Sequence, residues 1–331
     1  MNHMKLKKVK KKNKYKLILL TIFFYLIFSY TFYNSFKNNK SISNTEFITF
    51  LLNNGNANFV NDYKLPKIIN NTVSYILKIN LKKPYTLFNE NILGYQEITN
   101  EEEYSNLEEL KEVSYYMEDP NKVDIKNPLV YIYNSHQLEN YNNDELQIYG
   151  ITPNVLMASY LLKEKLNQKG ISTIVEDTNL TEFLELNNWN YSMSYRASRI
   201  FMLDKKNTYN SLKYYIDIHR DSIKKEASTI TINNKKYAKI LFVIGLEHKN
   251  YQKNLNLATD INNLFNKHYK GLSRGILKKQ GKNVDGIYNQ DISPNTMLIE
   301  VGGVDNTIEE VLNTINAISD ILNIYIGGNN V

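Results

Sequence analysis

From Pro128 onward, runs rich in β-branched and aromatic residues alternate with stretches of helical periodicity, and this alternation limits the possible folds most sharply. Leu129–Tyr133 reads as a short strand. Thr152-Pro153 then opens a predicted helix, as cap and first-turn proline, that runs to about Gln168 and stops at Gly170. Ile171–Val175 is a second strand, residues 181–203 read as largely helical, and Tyr214–Ile218 is a third strand. Thr229–Ile232 and Tyr237–Ile244 are two more, paired as a hairpin through Asn233-Asn234. A helix over about 251–268 places Leu257, Ala258, Ile261, Leu264 and Phe265 on one face. Met297–Val301 is the last strand. Thr307-x-x-Glu310 is a capping box opening a final helix, with Val311, Leu312, Ile315, Ile318 and Leu322 facing inward. Strands separated by helices of this length predict an α/β domain, a mostly parallel or mixed sheet of about six strands with flanking helices.

Ahead of that domain the chain is of another kind. Residues 1–16 hold eight lysines and no acid, so the net charge of +6 leaves −2 for residues 17–331. The basic character belongs to a tail and not to a nucleic-acid-binding surface. Leu17 to Phe36 is a run of 20 residues without a charge, bounded by Lys16 and Lys37. At 1.5 Å per residue such a helix matches a hydrocarbon core of about 30 Å. The lysines orient it with the N-terminus in the cytoplasm. No small-x-small cleavage site follows, because Thr31-Phe32-Tyr33-Asn34-Ser35 is bulky, so the expected element is an uncleaved anchor. The expected organisation is a basic tail (1–16), a transmembrane helix (17–36), an extracytoplasmic stalk or small membrane-proximal region (37–127) and a catalytic domain (128–331). The absence of cysteine excludes a disulfide scaffold, a Cys-ligated zinc and a thiol nucleophile.

Three strands run into residues able to bind metal or move a proton. The first leads to Asn134-Ser135-His136-Gln137-Leu138-Glu139, the third to Asp217-Ile218-His219, and the last contains Glu300. In open α/β sheets, sites form beyond the carboxyl ends of strands, so these segments can converge although far apart in sequence. A catalytic zinc takes three His or carboxylate ligands and keeps a position open. His136, Glu139 and His219 supply such a set, and Glu300 remains as the base. Glu139 and Glu300 are alike enough in chemistry for the two roles to be exchanged. Asp217 shares the strand face of His219, and His248 is a possible replacement ligand. Tyr191, Tyr195 and Arg196 read as packing and helix-surface residues. Gly271-Leu272-Ser273-Arg274-Gly275 matches the nucleophile-elbow pattern, but that motif needs a preceding strand and a following helix. Here a helix precedes, so the segment reads as a loop in which Arg274 faces the site and contacts a substrate carboxylate or developing oxyanion.

Six segments in order, VYIYNSHQLENY (130–141), YSMSYRASR (191–199), YIDIHRDS (215–222), GLSRGI (271–276), YNQDISP (288–294) and LIEVGGVDNT (298–307), make the chain similar to the stage II sporulation protein P family. The resemblance implies a membrane-anchored peptidoglycan hydrolase of sporulation, related to zinc-dependent N-acetylmuramoyl-L-alanine amidases and also open to endopeptidase activity. It implies Zn2+ on His136, Glu139 and His219 and a general base at Glu300. It further implies stage II sporulation proteins D and M as partners, peptidoglycan as substrate, and a place at the sporulation septum during engulfment. Asn134 departs from the pattern, standing where the family usually shows a histidine. That departure sustains an alternative, a metal-free wall-binding or scaffolding protein on a hydrolase fold.

Overall fold

A computed structural model describes residues 116–328, apart from 145, 147–149 and 283. The basic tail, the expected transmembrane helix at 17–36 and residues 37–115 lie outside the described residues. Among the described residues no helix is long and apolar enough to cross a membrane. In chain order the elements are β1 (Val130–Tyr133), α1 (Val155–Gln168), β2 (Thr173–Val175), α2 (Leu180–Leu186), α3 (Ser194–Thr208), β3 (Tyr214–Asp221), α4 (Lys225–Ser228), β4 (Thr229–Ile232), β5 (Lys235–Ala238), β6 (Ile240–Gly245), α5 (Tyr251–His268), β7 (Ser273–Lys279), β8 (Thr296–Gly303) and α6 (Ile308–Gly328).

The main sheet has six strands in the order β2-β1-β3-β8-β6-β7. The first four are mutually parallel, β6 runs antiparallel to β8, and β7 is parallel to β6. The expected mostly parallel or mixed six-stranded sheet with flanking helices is therefore observed. Side chains alternate across a strand, and that alternation sorts the sheet into two faces. Val130, Ile132, Ile216, Ile218, Met297 and Ile299 join the large core with α1, α5 and α6. Fully burying each such side chain contributes about 1.5–3 kcal/mol. The intervening residues face the other way: Tyr131, Tyr133 and Tyr215 pack with Met202 of α3, and Leu298 with Val243 and Tyr288. Asp217, His219 and Glu300 fall in this second set. Residues 116–122 are strapped to α1, where Lys163 Nζ donates to Asp119 Oδ1 at 2.7 Å and to the Asn121 carbonyl at 2.8 Å.

Two short-range signals form as expected. The Thr307–Glu310 capping box forms, with Thr307 N–H donating to Glu310 Oε2 at 3.2 Å and Glu310 N–H to Thr307 Oγ1 at 3.3 Å. Asn233 and Asn234, both at positive φ, turn β4 into β5 as the hairpin requires. Several boundaries shift, and four differences have a clear physical reason. Helix α1 starts after Asn154, whose side chain accepts from Met157 N–H at 3.1 Å, because Asn caps as well as the expected Thr152. The expected strand 237–244 breaks at Lys239, where the chain leaves the hairpin for the main sheet. Asn188 at φ 53 interrupts the expected helix 181–203. The fourth difference is β7, expected as a loop. It is an edge strand whose sequence, SRGILKK, carries the charges that protect exposed edges and so lacks the apolar run of a central strand.

Candidate metal centre

The carboxyl ends of β1, β3 and β8 lie side by side, and their register brings the candidate residues together. His219 pairs with Glu300 across the parallel β3–β8 ladder, and one step later the pairing slips so that Asp221 meets Gly303. Bulges of this kind end ladders and re-aim side chains beside active sites. Gly302 absorbs the slip at φ +75, and a Cβ on Gly303 would stand 2.2 Å from the Ile223 carbonyl oxygen.

His136 and Glu139 arrive on the turn that follows β1. Glu139 N–H donates to the His136 carbonyl at 3.3 Å, and Val155 N–H donates to the Glu139 carbonyl at 3.0 Å, tying the turn to the start of α1. Gln137, buried, ties it to α2: its Nε2 donates to the Thr178 carbonyl at 2.8 Å, and its Oε1 accepts from Leu180 N–H at 2.8 Å. Arg220 N–H donates to Glu139 Oε2 at 2.8 Å. Asn134 is buried and already engaged, with Nδ2 donating to the Ile218 carbonyl at 2.6 Å and Oδ1 accepting from Ser159 Oγ at 2.9 Å. It staples β1 to β3 and α1, so the departure at this position is a structural amide.

One atom each from His136, Glu139 and His219 lie within 4.8 Å of one another, a cluster among the described residues that could hold a metal ion. Two ligands bound at about 2.0–2.1 Å to a tetrahedral ion stand roughly 3.4 Å apart. Glu139 Oε1 lies 3.2 Å from His136 Nδ1 and 3.4 Å from His219 Nδ1. The geometry and the donor set, two imidazoles and a carboxylate, fit Zn2+. Glu300 adds a second sign: its Oε2 is closed off from solvent and has no hydrogen-bond partner.

The electrostatics follow from burial and proximity. Burial opposes ionisation of Glu139, but His219 and then His136 outweigh it and hold the carboxyl well below the usual carboxylate range. Burial likewise opposes charge on His219, yet Asp217 and Glu139 raise it well above the usual histidine range. Glu300 is pushed up to about 8, chiefly by burial, with the carboxylates of Glu139 and Asp221 adding to the rise against the pull of His219. Without a cation in the cluster, one base candidate is thus held largely protonated at neutral pH.

Arg274 lies on a strand where a loop was expected, and His248 is remote from the cluster. Arg274 stands on β7 at a bulge made by Gly275 at φ +99, and its Nη2 donates to Asp221 Oδ2 at 2.5 Å. Its Nε is buried and has no partner. His248 follows the end of β6, which runs antiparallel to β8, so it lies at the opposite end of the sheet from the cluster. Ser273 Oγ donates to Asn262 Oδ1 at 2.6 Å and accepts from Gly275 N–H at 3.0 Å. Among the described residues no histidine partners it, and the motif's Ser273 opens an edge strand where the nucleophile elbow needs a strand-to-helix turn.

Tyr191 and Tyr195, expected as packing and helix-surface residues, instead wall the cluster. The Tyr191 ring stacks on His136 with centroids 4.9 Å apart, and Tyr195 lies 5.3 Å from His136 and 6.2 Å from His219. Their i, i+4 spacing, which puts both on one face of a helical turn, was the available signal. The 288–291 segment holds this wall in place. Tyr288 packs edge-on to Tyr195 at 5.4 Å, and Asn289 Nδ2 donates to the Tyr195 carbonyl and to Ser198 Oγ. Arg199 makes a bidentate pair with Asp291 at 2.7 and 2.8 Å. Asp291→Ala breaks a partly exposed ion pair and is expected to cost at most about 1 kcal/mol, or about 2–4 °C in melting temperature. Asn289→Ala removes a buried amide with two acceptors at φ 55 and is expected to cost about 2–3 kcal/mol. Parallel thermal melts check the order.

A family model described as stage II sporulation protein P matches residues 37–323. The stage II sporulation protein P of Bacillus subtilis (strain 168) is 35% identical over 199 residues, covering 58% of this chain and 50% of that protein. The chain thus spans about half the length of that curated relative. Among solved structures, the CwlD amidase from Clostridioides difficile in complex with the GerS lipoprotein has a TM-score of 0.39 at 15% identity, over 61% of this chain and 97% of that one. Cwp6 from Clostridium difficile has a TM-score of 0.35 at 14% identity, over 62% and 30%.

Proposed function

This chain belongs to the stage II sporulation protein P family, and from that premise we propose that it is a zinc-dependent peptidoglycan hydrolase of sporulation. The bond proposed is the amide between N-acetylmuramic acid and L-alanine, with stem-peptide cross-links as a second class of target. The observation that carries the proposal is the spacing of His136 Nδ1, Glu139 Oε1 and His219 Nδ1. These three residues would hold the ion, which when bound supplies Lewis acidity, polarising the amide carbonyl and acidifying water.

The remaining steps belong to the chain itself. Glu300 is the general base: its Oε2 takes the proton of the attacking water as the carbon–oxygen bond forms. The same oxygen returns that proton to the alanine nitrogen as the carbon–nitrogen bond breaks. Glu300 would be favoured as a carboxylate, and so competent as a base, where His136, Glu139 and His219 held a cation. Tyr191 and Tyr195 exclude water from the histidine side. Arg274 is assigned to a substrate carboxylate or the developing oxyanion; its contact with Asp221 supports a guanidinium near the end of β3.

The proposal extends to an N-terminal membrane anchor over residues 17–36 with the hydrolase outside the cytoplasm at the septum, and to stage II sporulation proteins D and M as partners. The metal-free scaffold drew its support from Asn134, whose side chain is committed to Ile218 and Ser159. The test is metal analysis of the purified full-length chain with digestion of purified peptidoglycan. About one zinc per chain, and release of glycan-free peptides that a chelator stops and zinc restores, are expected. A metal-free chain, or lysis indifferent to chelation, overturns the proposal.

A further inference from the structure

Ser135 and Asp217 are completely buried beside the cluster, and the chemistry above does not use them. A carboxylate with no access to solvent needs donors around it. Asp217 receives Ser135 N–H on Oδ1 at 3.0 Å and Ser135 Oγ–H on Oδ2 at 2.6 Å. A serine hydroxyl has one proton, and a carboxylate oxygen is an acceptor only, so that short contact uses the proton. The same Ser135 Oγ lies 2.8 Å from His219 Nε2, and Asp217 Oδ1 lies 3.1 Å from it. Both neighbours of this ring nitrogen are therefore acceptors, and Nε2 must be the donor. A neutral imidazole protonated at Nε2 has its lone pair on Nδ1, the atom that faces Glu139.

We infer that Ser135 and Asp217 are positioning residues that hold a proton on His219 Nε2, so that Nδ1 is the nitrogen that gives up its proton to the metal. This rests on the metal-site reading above. The pair sits on two hydrogen-bonded strands, Ser135 just beyond β1 and Asp217 within β3, and the rigidity of that ladder fixes the ring plane as well as the proton. The alternative is a purely structural tie between β1 and β3.

Asp217→Asn separates the two. It is nearly isosteric, but its amide brings two donors. With the amide oxygen kept on Ser135 N–H, the NH2 group donates to Ser135 Oγ, whose own proton then turns toward His219 Nε2. Nε2 then faces the serine proton and keeps only the neutral amide oxygen as an acceptor, so a proton on Nε2 is no longer enforced and Nδ1, where the metal should bind, competes for it. Zinc affinity is expected to fall about 10–100-fold in Asp217→Asn. It should fall less in Ser135→Ala, where Asp217 Oδ1 still accepts from Nε2. A structural tie predicts lower melting temperatures with unchanged zinc affinity in the folded protein.

The experiment is zinc competition against a chromophoric chelator, using the full-length chain in detergent, with circular dichroism as the check on folding. Nitrogen-15 spectra of the zinc-loaded wild type, labelled on its five histidines, give a readout that needs no variant. His219 with a protonated Nε2 and a metal-shifted Nδ1 is expected; coordination through Nε2 overturns the inference. Unchanged affinity in folded Asp217→Asn also overturns it while leaving the metal reading intact. A wild type that binds no zinc overturns both.

Discussion

Glu300→Gln is expected to lower peptidoglycan hydrolysis by about 10²–10⁴-fold while leaving the metal content unchanged. Glu300 comes from β8, paired in register with His219 but outside the triplet of ligand atoms. A ligand has to bind the resting ion, whereas a base has only to reach the water within about 2.6–3.2 Å. The amide is isosteric, so the fold and the peptidoglycan-binding surface should survive; its charge and its capacity to accept and return a proton do not. Glu139→Gln is the matched control. Glu139 bridges two histidines and accepts the Arg220 N–H, so its loss should weaken metal affinity, and added zinc should partly restore activity. Single-turnover lysis and metal analysis on both variants decide the assignment. A metal-free Glu300→Gln beside a zinc-loaded, inactive Glu139→Gln would mean that the two carboxylates have exchanged roles.

His219→Ala is expected to strip the metal and bring lysis to background, and His136→Ala to do the same, with the domain still folded. The reason for survival is where these side chains sit. The large core lies on the opposite face of the sheet, between its strands and α1, α5 and α6, and the cluster occupies strand ends outside it. The two variants should differ in stability. His136 is partly exposed, whereas His219 is 3% exposed and its removal deprives buried Asp217 of a donor. A hydrogen bond to a charged group contributes about 1.5–3 kcal/mol, so His219→Ala should melt lower than His136→Ala. Zinc content and thermal melts measured together test both claims; full zinc occupancy in either variant would remove that residue from the ligand set.

What the sequence determined by itself was local. The Thr307–Glu310 box, the Asn233-Asn234 turn and the helix over 251–268 each depend on residues within about one turn of one another, and their hydrogen bonds close without help from distant parts of the chain. The His136–Glu139 pair is of the same kind, three residues apart on one turn. The family itself was also legible, since six ordered blocks are a long-range pattern that composition alone cannot produce.

Tertiary structure decided what those blocks do to one another. The register that sets Glu300 beside His219 is a backbone pairing between strands about 80 residues apart, and a slip of one residue would turn every side chain of β8 to the other face. Strand β7 was hidden because an edge strand needs charge where a central strand needs apolar side chains. Tyr195 had no visible role until Tyr288, Asn289 and Asp291, themselves unexplained in the sequence, were seen to hold its helix over the histidines. Ser135, flanked by the more conspicuous Asn134 and His136, acquires its meaning only from Asp217 across the ladder. A hydroxyl with one proton directs a histidine only where burial has removed water as a competing partner, and that burial exists only once the sheet has formed.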